Sequence, residues 1–169
     1  MIYVYAIGEH GGRLTAFVKR GVTCAPAPEP DALLDHDRVV HSLMGDGAVV
    51  PMRFGTVVGD ESDIRSLLLK RRKELRDLLT HVRGRVEFGV RAPQVSASTG
   101  RDYMHAKLEV DRLLAPLAEL AADTRVRHRD TAYLVDRELA AAFQERARNM
   151  KLALSGPWPP YSFTGALRG

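Results

Sequence analysis

Apolar and polar positions alternate along this chain with periods that change every ten to twenty residues. Ile2-Tyr3-Val4-Tyr5-Ala6-Ile7 is an unbroken β-branched and aromatic run, ended by Gly8 and Gly11-Gly12, and predicts a buried strand. Arg13 to Lys19 places Leu14, Ala16 and Val18 at every second position and predicts another. Pro26, Pro28 and Pro30 then impose an extended connection. From Asp31 to Met44 the period becomes helical, with Leu33, His36, Val40 and Leu43 on one stripe and Gly45 and Gly47 as the stop. Ala48 to Val58 is strand-like, and Pro51 and Gly55 within it favour an edge or a bulge. Asp60-Glu61-Ser62-Asp63 opens a helix expected to reach Val82 as one piece, with Gly84 as its cap. Arg85 to Arg91 alternates as a strand.

Pro93 to Gly100 reads as a linker. Beyond it, Tyr103 to Ala122 has a helical stripe (Tyr103, Ala106, Val110, Leu113, Leu114, Leu117, Leu120) that Pro116 is expected to kink or split. Thr131 to Val135 predicts a strand, Glu138 to Met150 a helix, and Lys151 to Leu154 a last strand. The order ββαβαβ, linker, α(α)βαβ predicts an α+β protein. Residues 1–92 form a ferredoxin-like N-terminal domain, 93–100 the linker, and 101–169 a smaller α+β domain ending in Gly156-Pro157-Trp158-Pro159-Pro160-Tyr161-Ser162-Phe163.

Composition adds limits. Apolar content of 45% and charged content of 27% are those of a water-soluble globular chain. No run nears the ~18 apolar residues of a membrane span, and the opening MIYVYAIGEHGG has no basic leader, so a cytoplasmic protein is expected. The single Cys24 cannot make an internal disulfide. The charge of +4 is uneven: residues 61–101 hold ten Lys/Arg against five Asp/Glu, centred on Lys70-Arg71-Arg72-Lys73 and Arg76. That cluster reads first as a solvated helix face. Nucleic-acid binding is disfavoured because no aromatic residue interleaves it to stack on bases.

The search for catalytic chemistry is empty. Asp35-His36-Asp37 cannot converge on one ion from a helix, where neighbours point about 100° apart, so His36 reads as a hydrogen-bonded packing residue. His41 is expected to face solvent, His10 sits in a Gly-rich turn, and His128 lies in the alternating run Arg125–Arg129. No pair of histidines has the spacing of a zinc hydrolase. Cys24 has no helix N-terminus behind it, and Ser155-Gly156 is not in a nucleophile elbow. The expectation is a non-enzymatic protein with no cofactor and no metal.

Two stretches ask for more. Val50-Pro51-Met52-Arg53-Phe54-Gly55-Thr56-Val57 sets a permanent charge in an apolar string, where an unpaired buried guanidinium costs several kcal/mol. Arg53 must meet a carboxylate (Asp35, Asp37 or Glu87) or emerge at a surface, and an internal ion pair is the favoured reading. Gly156 to Phe163 is stiffened by three prolines and carries Trp158, Tyr161 and Phe163, each able to bury a large area. A rigid plug over a sheet end is the first reading, a preformed strip for a partner the other. Arg53, Phe54, Trp158 and Tyr161 are the candidate partner-binding residues.

These strings also carry a resemblance. Together with Tyr3-Val4-Tyr5-Ala6-Ile7, Asp35-His36-Asp37-Arg38-Val39-Val40, Gly84-Arg85-Val86-Glu87-Phe88-Gly89-Val90 and Gly100-Arg101-Asp102-Tyr103-Met104, they make the chain resemble the GvpL/GvpF family of gas vesicle accessory proteins. The resemblance implies a non-enzymatic minor or accessory structural component in gas vesicle assembly and buoyancy. It implies association with the small hydrophobic shell protein and other accessory proteins, and a place in the cytoplasm and on the gas vesicle. The family pattern has extra residues after the first strand, where this chain has only Gly8-Glu9, so a modified, shortened N-terminal domain is expected. The competing readings are a ferredoxin-like module that binds a small regulatory molecule, which rests on fold analogy alone, and RNA binding.

Overall fold

Strand β1, Ile2–His10, is buried along nearly its whole length, as its apolar run requires. A two-residue turn of Gly11 (φ +55°) and Gly12 (φ +75°) leads directly into β2, Arg13–Arg20. Left-handed conformation at both positions is what a tight hairpin of matching twist needs, so the shortened connection closes cleanly. In a computed structural model the described residues are 1–45, 47–91, 99–127 and 130–165. They divide into two units: Met1–Gly84 with the chain from Pro159 onward, and Arg85–Trp158.

In the first unit β1 is central. It pairs antiparallel with β2 on one side and, on the other, with β3, Val49–Pro51, and β4, Val57–Val58. Pro51 thus lies on an edge strand, where its missing N–H costs no ladder bond. Helix α1, Pro30–Leu43, buries His36 and Val40. Helices α2, Glu61–Lys70, and α3, Arg72–Val82, follow β4. Successive strand residues point to opposite faces. Tyr3 meets α1, whereas Val4 joins Ile7, Val50, Met52, Leu75 and Leu79 under α3. The two helical layers therefore cover opposite faces of one sheet, and a register shift at Tyr5 resets the alternation so that both Val4 and Ile7 reach the α3 side.

The helix expected from Asp60 to Val82 is two helices. Its start is as predicted: Asp60 accepts from the N–H groups of Ser62 and Asp63, and Asp63 returns the bond to Asp60. The hydroxyl and N–H of Ser62, with the N–H of Asp63, hold the Asp60 carboxyl below its ordinary range. The break falls at Arg71 (φ −108°, ψ 19°) with no glycine or proline to announce it. On its two sides α2 buries Ile64 and α3 buries Leu75, Leu79 and Val82.

The second unit runs β5, Arg85–Arg91; α4, Gly100–Ala118; β6, Asp123–Val126; β7, Asp130–Asp136; a 3-10 turn, Arg137–Leu139; α5, Ala140–Asn149; and β8, Leu154–Trp158. The strand order β6-β7-β5-β8, with antiparallel neighbours throughout, is the βαββαβ arrangement of a ferredoxin-like sandwich. The α+β class is as the sequence predicts. The ferredoxin-like order sits in Arg85–Trp158 because β5, read above as the last strand of a 1–92 domain, matches β7 over seven residue pairs and becomes a central strand. The linker expected at 93–100 lies mostly outside the described residues; Thr99 caps α4 and Gly100 begins it. Pro116 sits in the last turn of α4 without splitting it. Its core is Phe88, Tyr133, Leu134, Leu117, Phe143 and Ala147, with burial pushing the Tyr133 phenol up to about 12.

The last strand is also displaced from expectation, from 151–154 to Leu154–Trp158, so the Gly-Pro-Trp string is itself strand. Gly156 makes this possible. It has φ +111°, and a Cβ there would come within 2.7 Å of the Glu87 carbonyl oxygen.

Candidate functional site

The described residues contain no group of His, Cys, Asp and Glu able to hold a metal ion, and no helix long and apolar enough to cross a membrane. His128 lies outside them. The feature that draws the sequence motifs together is His36. It is 4% exposed, and both ring nitrogens are engaged. Nε2 lies 3.1 Å from the Met52 carbonyl oxygen, which can only accept, so Nε2 carries the hydrogen. Nδ1 is then the acceptor for the Tyr3 hydroxyl at 2.7 Å, and that hydroxyl in turn accepts from the Gly55 N–H at 3.2 Å. The chain of bonds is complete for a neutral imidazole. Burial lowers the His36 pKa below its ordinary value and raises that of Tyr3.

Rings close around the imidazole. Tyr5 stacks on it at 5.5 Å, Phe54 meets it edge-on at 5.8 Å, and Tyr161 lies against it at 6.2 Å. The Tyr161 hydroxyl reaches Asp37 at 3.5 Å. Backbone bonds clamp the intervening turn to β1: the Met52 N–H donates to the Tyr5 carbonyl, and the Val4 N–H to the Thr56 carbonyl. The turn itself is closed by the N–H and hydroxyl of Thr56 on the Arg53 carbonyl, with Gly55 at φ +82°. Four separated strings (Tyr-Val-Tyr, Asp-His-Asp, Pro-Met-Arg-Phe-Gly and Tyr-Ser-Phe) thus meet at one residue.

Of the four candidate partner residues, Arg53, Phe54 and Tyr161 share this neighbourhood. Arg53 is exposed and makes no ion pair among the described residues, which corrects the internal pair favoured above. The string is a turn at that point, and the turn carries the guanidinium into water. Phe54 and Tyr161 are half-buried. Trp158 belongs to the second unit and is 42% exposed, so it does not bury as expected. Pro159, Pro160 and Phe163 do bury, in the first unit. The hub itself was legible only in outline: a histidine on an apolar stripe and two tyrosines two apart in a buried strand.

The family profile described as gas vesicle synthesis protein GvpL/GvpF matches residues 2–124 and 104–165. The chain belongs to the GvpL/GvpF family. Among its relatives, gas vesicle protein L of Streptomyces sp. strain CB03234 is 30% identical, over 80% of this chain and 69% of that protein. Gas vesicle protein F2 of Halobacterium salinarum is 27% identical, over 89% of this chain and 76% of its own. The crystal structure of GvpF from Microcystis aeruginosa superposes with a TM-score of 0.78 at 13% identity, covering 96% of this chain and 98% of that one. GvpF from Anabaena sp. PCC7120 gives 0.71 at 16% identity, covering 99% and 98%. These two likenesses concern the fold. As a GvpL/GvpF member, the chain is a gas vesicle protein.

Proposed function

We propose that this chain is an accessory or minor component in gas vesicle assembly, and that it holds the small hydrophobic shell protein as the vesicle is built. It acts by binding and not by catalysis, in the cytoplasm and at the vesicle, in company with other gas vesicle proteins. The observation that carries this reading is Arg53: an exposed cation with no ion pair among the described residues, set beside the half-buried Phe54 on a turn that the His36 hub holds fixed. A rigid turn that offers a guanidinium and an aromatic edge is suited to a partner contact, because little ordering remains to be done on binding. Trp158 is a second exposed anchor of the type enriched at interfaces.

The test is co-expression of the tagged chain with the shell protein of the same host, followed by co-purification. Arg53→Ala and Trp158→Ala are expected to reduce the recovered shell protein at least about tenfold, the loss of one good anchor of roughly 1.4 kcal/mol or more. Arg53→Ala should leave stability within about 0.5 kcal/mol, as for any exposed unpaired side chain. A folded chain that recovers no shell protein at all would sink the reading.

A further inference from the structure

Arg65 and Leu69 lie one turn apart on the outside of α2, and Arg72 and Lys73 open α3 just past the break at Arg71. Backbone bonds from the Arg71 N–H to the Leu67 carbonyl and from the Leu75 N–H to the Arg71 carbonyl tie Arg71 to both helices. All four residues are exposed, Leu69 to 66%. Residues 61–83 hold seven Lys/Arg against four Asp/Glu. Three of the seven are tied down: Arg71 to Glu74, Arg76 to Glu9 and the Gly12 carbonyl, and Arg83 to Glu9. Arg65, Lys70, Arg72 and Lys73 make no ion pair among the described residues. Asp77, one turn beyond Lys73, is the acid nearest to this face in sequence that is not already paired or capping a helix.

Helix α1 is its opposite. Residues 29–43 hold four Asp/Glu against Arg38 alone. Asp31, Leu34 and Asp35 face outward at i, i+3 and i+4, with Leu33 beside them; Leu33 is 42% and Leu34 50% exposed. Arg38 is turned back onto Asp35 at 2.9 Å, and Asp37 is half-buried toward Tyr161. A single exposed leucine is ordinary on a soluble protein. Here exposed leucines sit within each of two oppositely charged faces, and those faces lie on opposite sides of one sheet.

We propose that this chain associates with further copies of itself head to tail, the basic α2–α3 face of one docking on the acidic α1 face of the next. The patches differ, so the contact is heterologous: it leaves a free face at each end and builds an open stack in place of a closed pair. Its charges lie at the surface, so it is weak and salt-sensitive.

Sedimentation velocity of the full chain tests it. Mass should rise with concentration at about 50 mM salt and fall back to the monomer at about 500 mM, where screening is strong. K70E/R72E/K73E makes both faces acidic, and D31K/D35K makes both basic. Each variant alone should stay monomeric, and the two mixed should alternate and recover association. Leu69→Ser and Leu34→Ser touch the same faces without changing charge. They should weaken association severalfold, which keeps the test open should a charge-reversed chain fail to fold. A wild-type chain that stays monomeric at low salt overturns the proposal, whether or not it captures an acidic protein or a nucleic acid. Association that survives both charge reversals overturns it as well.

Discussion

In the second unit the core is a stack of rings: Phe88 against Phe143 at 5.1 Å, and Tyr133 against Phe143 at 5.3 Å. In the first, rings of the same kinds gather around an imidazole whose two nitrogens are both hydrogen-bonded. The difference is one of physics. A ring stack loses contact area in proportion to what is removed. A buried polar hub leaves a donor or acceptor stranded when any one member goes. The second unit is therefore held by packing that many apolar residues could approximate. The first adds to its apolar cluster under α3 a donor–acceptor sequence that tolerates little change, and this is where several of the chain's sequence strings converge.

Phe143→Ala breaks the comparison on the packing side. Fully buried and touching two rings, it should cost about 3–5 kcal/mol in urea unfolding; a loss under about 1 kcal/mol would mean the stack is not the core. His36→Ala comes next, at about 2–3 kcal/mol, because it strands the Met52 carbonyl and the Tyr3 hydroxyl together. Tyr3→Phe keeps the ring and removes one hydroxyl, so about 1–2 kcal/mol is expected. A double-mutant cycle with His36→Ala should then give a sum well short of additive.

The smallest effect is acidification, since protonated His36 keeps its ring in place. Its folded pKa lies below that of the unfolded chain, so the unfolded state takes up the proton first. The stabilisation is complete above an ordinary histidine value of about 6.5 and is lost as pH falls through the lower folded value. Thermal unfolding between neutral and mildly acidic pH should show this loss in Phe143→Ala as in wild type, and not in His36→Ala. Equal pH slopes in all three chains would remove His36 as the cause.

Much of this was legible in the sequence, and the exceptions have reasons. Period-two and period-3.6 patterns located β1, β2, α1, β5, β7 and α5, and His36 was read as a hydrogen-bonded packing residue. Strand β6 escaped because its sole large apolar residue, Val126, is 78% exposed, leaving no buried face to produce a pattern. The break at Arg71 has no glycine or proline to mark it in the sequence. Arg53 and Trp158 were both misjudged. Each was first read as burying with its string and each is exposed, two residues from a glycine of positive φ, Gly55 or Gly156.

The chain leaves the first unit at Gly84 and re-enters it at Pro159. Tyr161 and Phe163, which pack into that unit, are thus made only after all of Arg85–Trp158 has been translated. During synthesis, Met1–Gly84 therefore lacks the Tyr161 ring against His36 until the inserted sandwich has been made. A chain that stops before Pro159 cannot acquire the two rings that complete this unit.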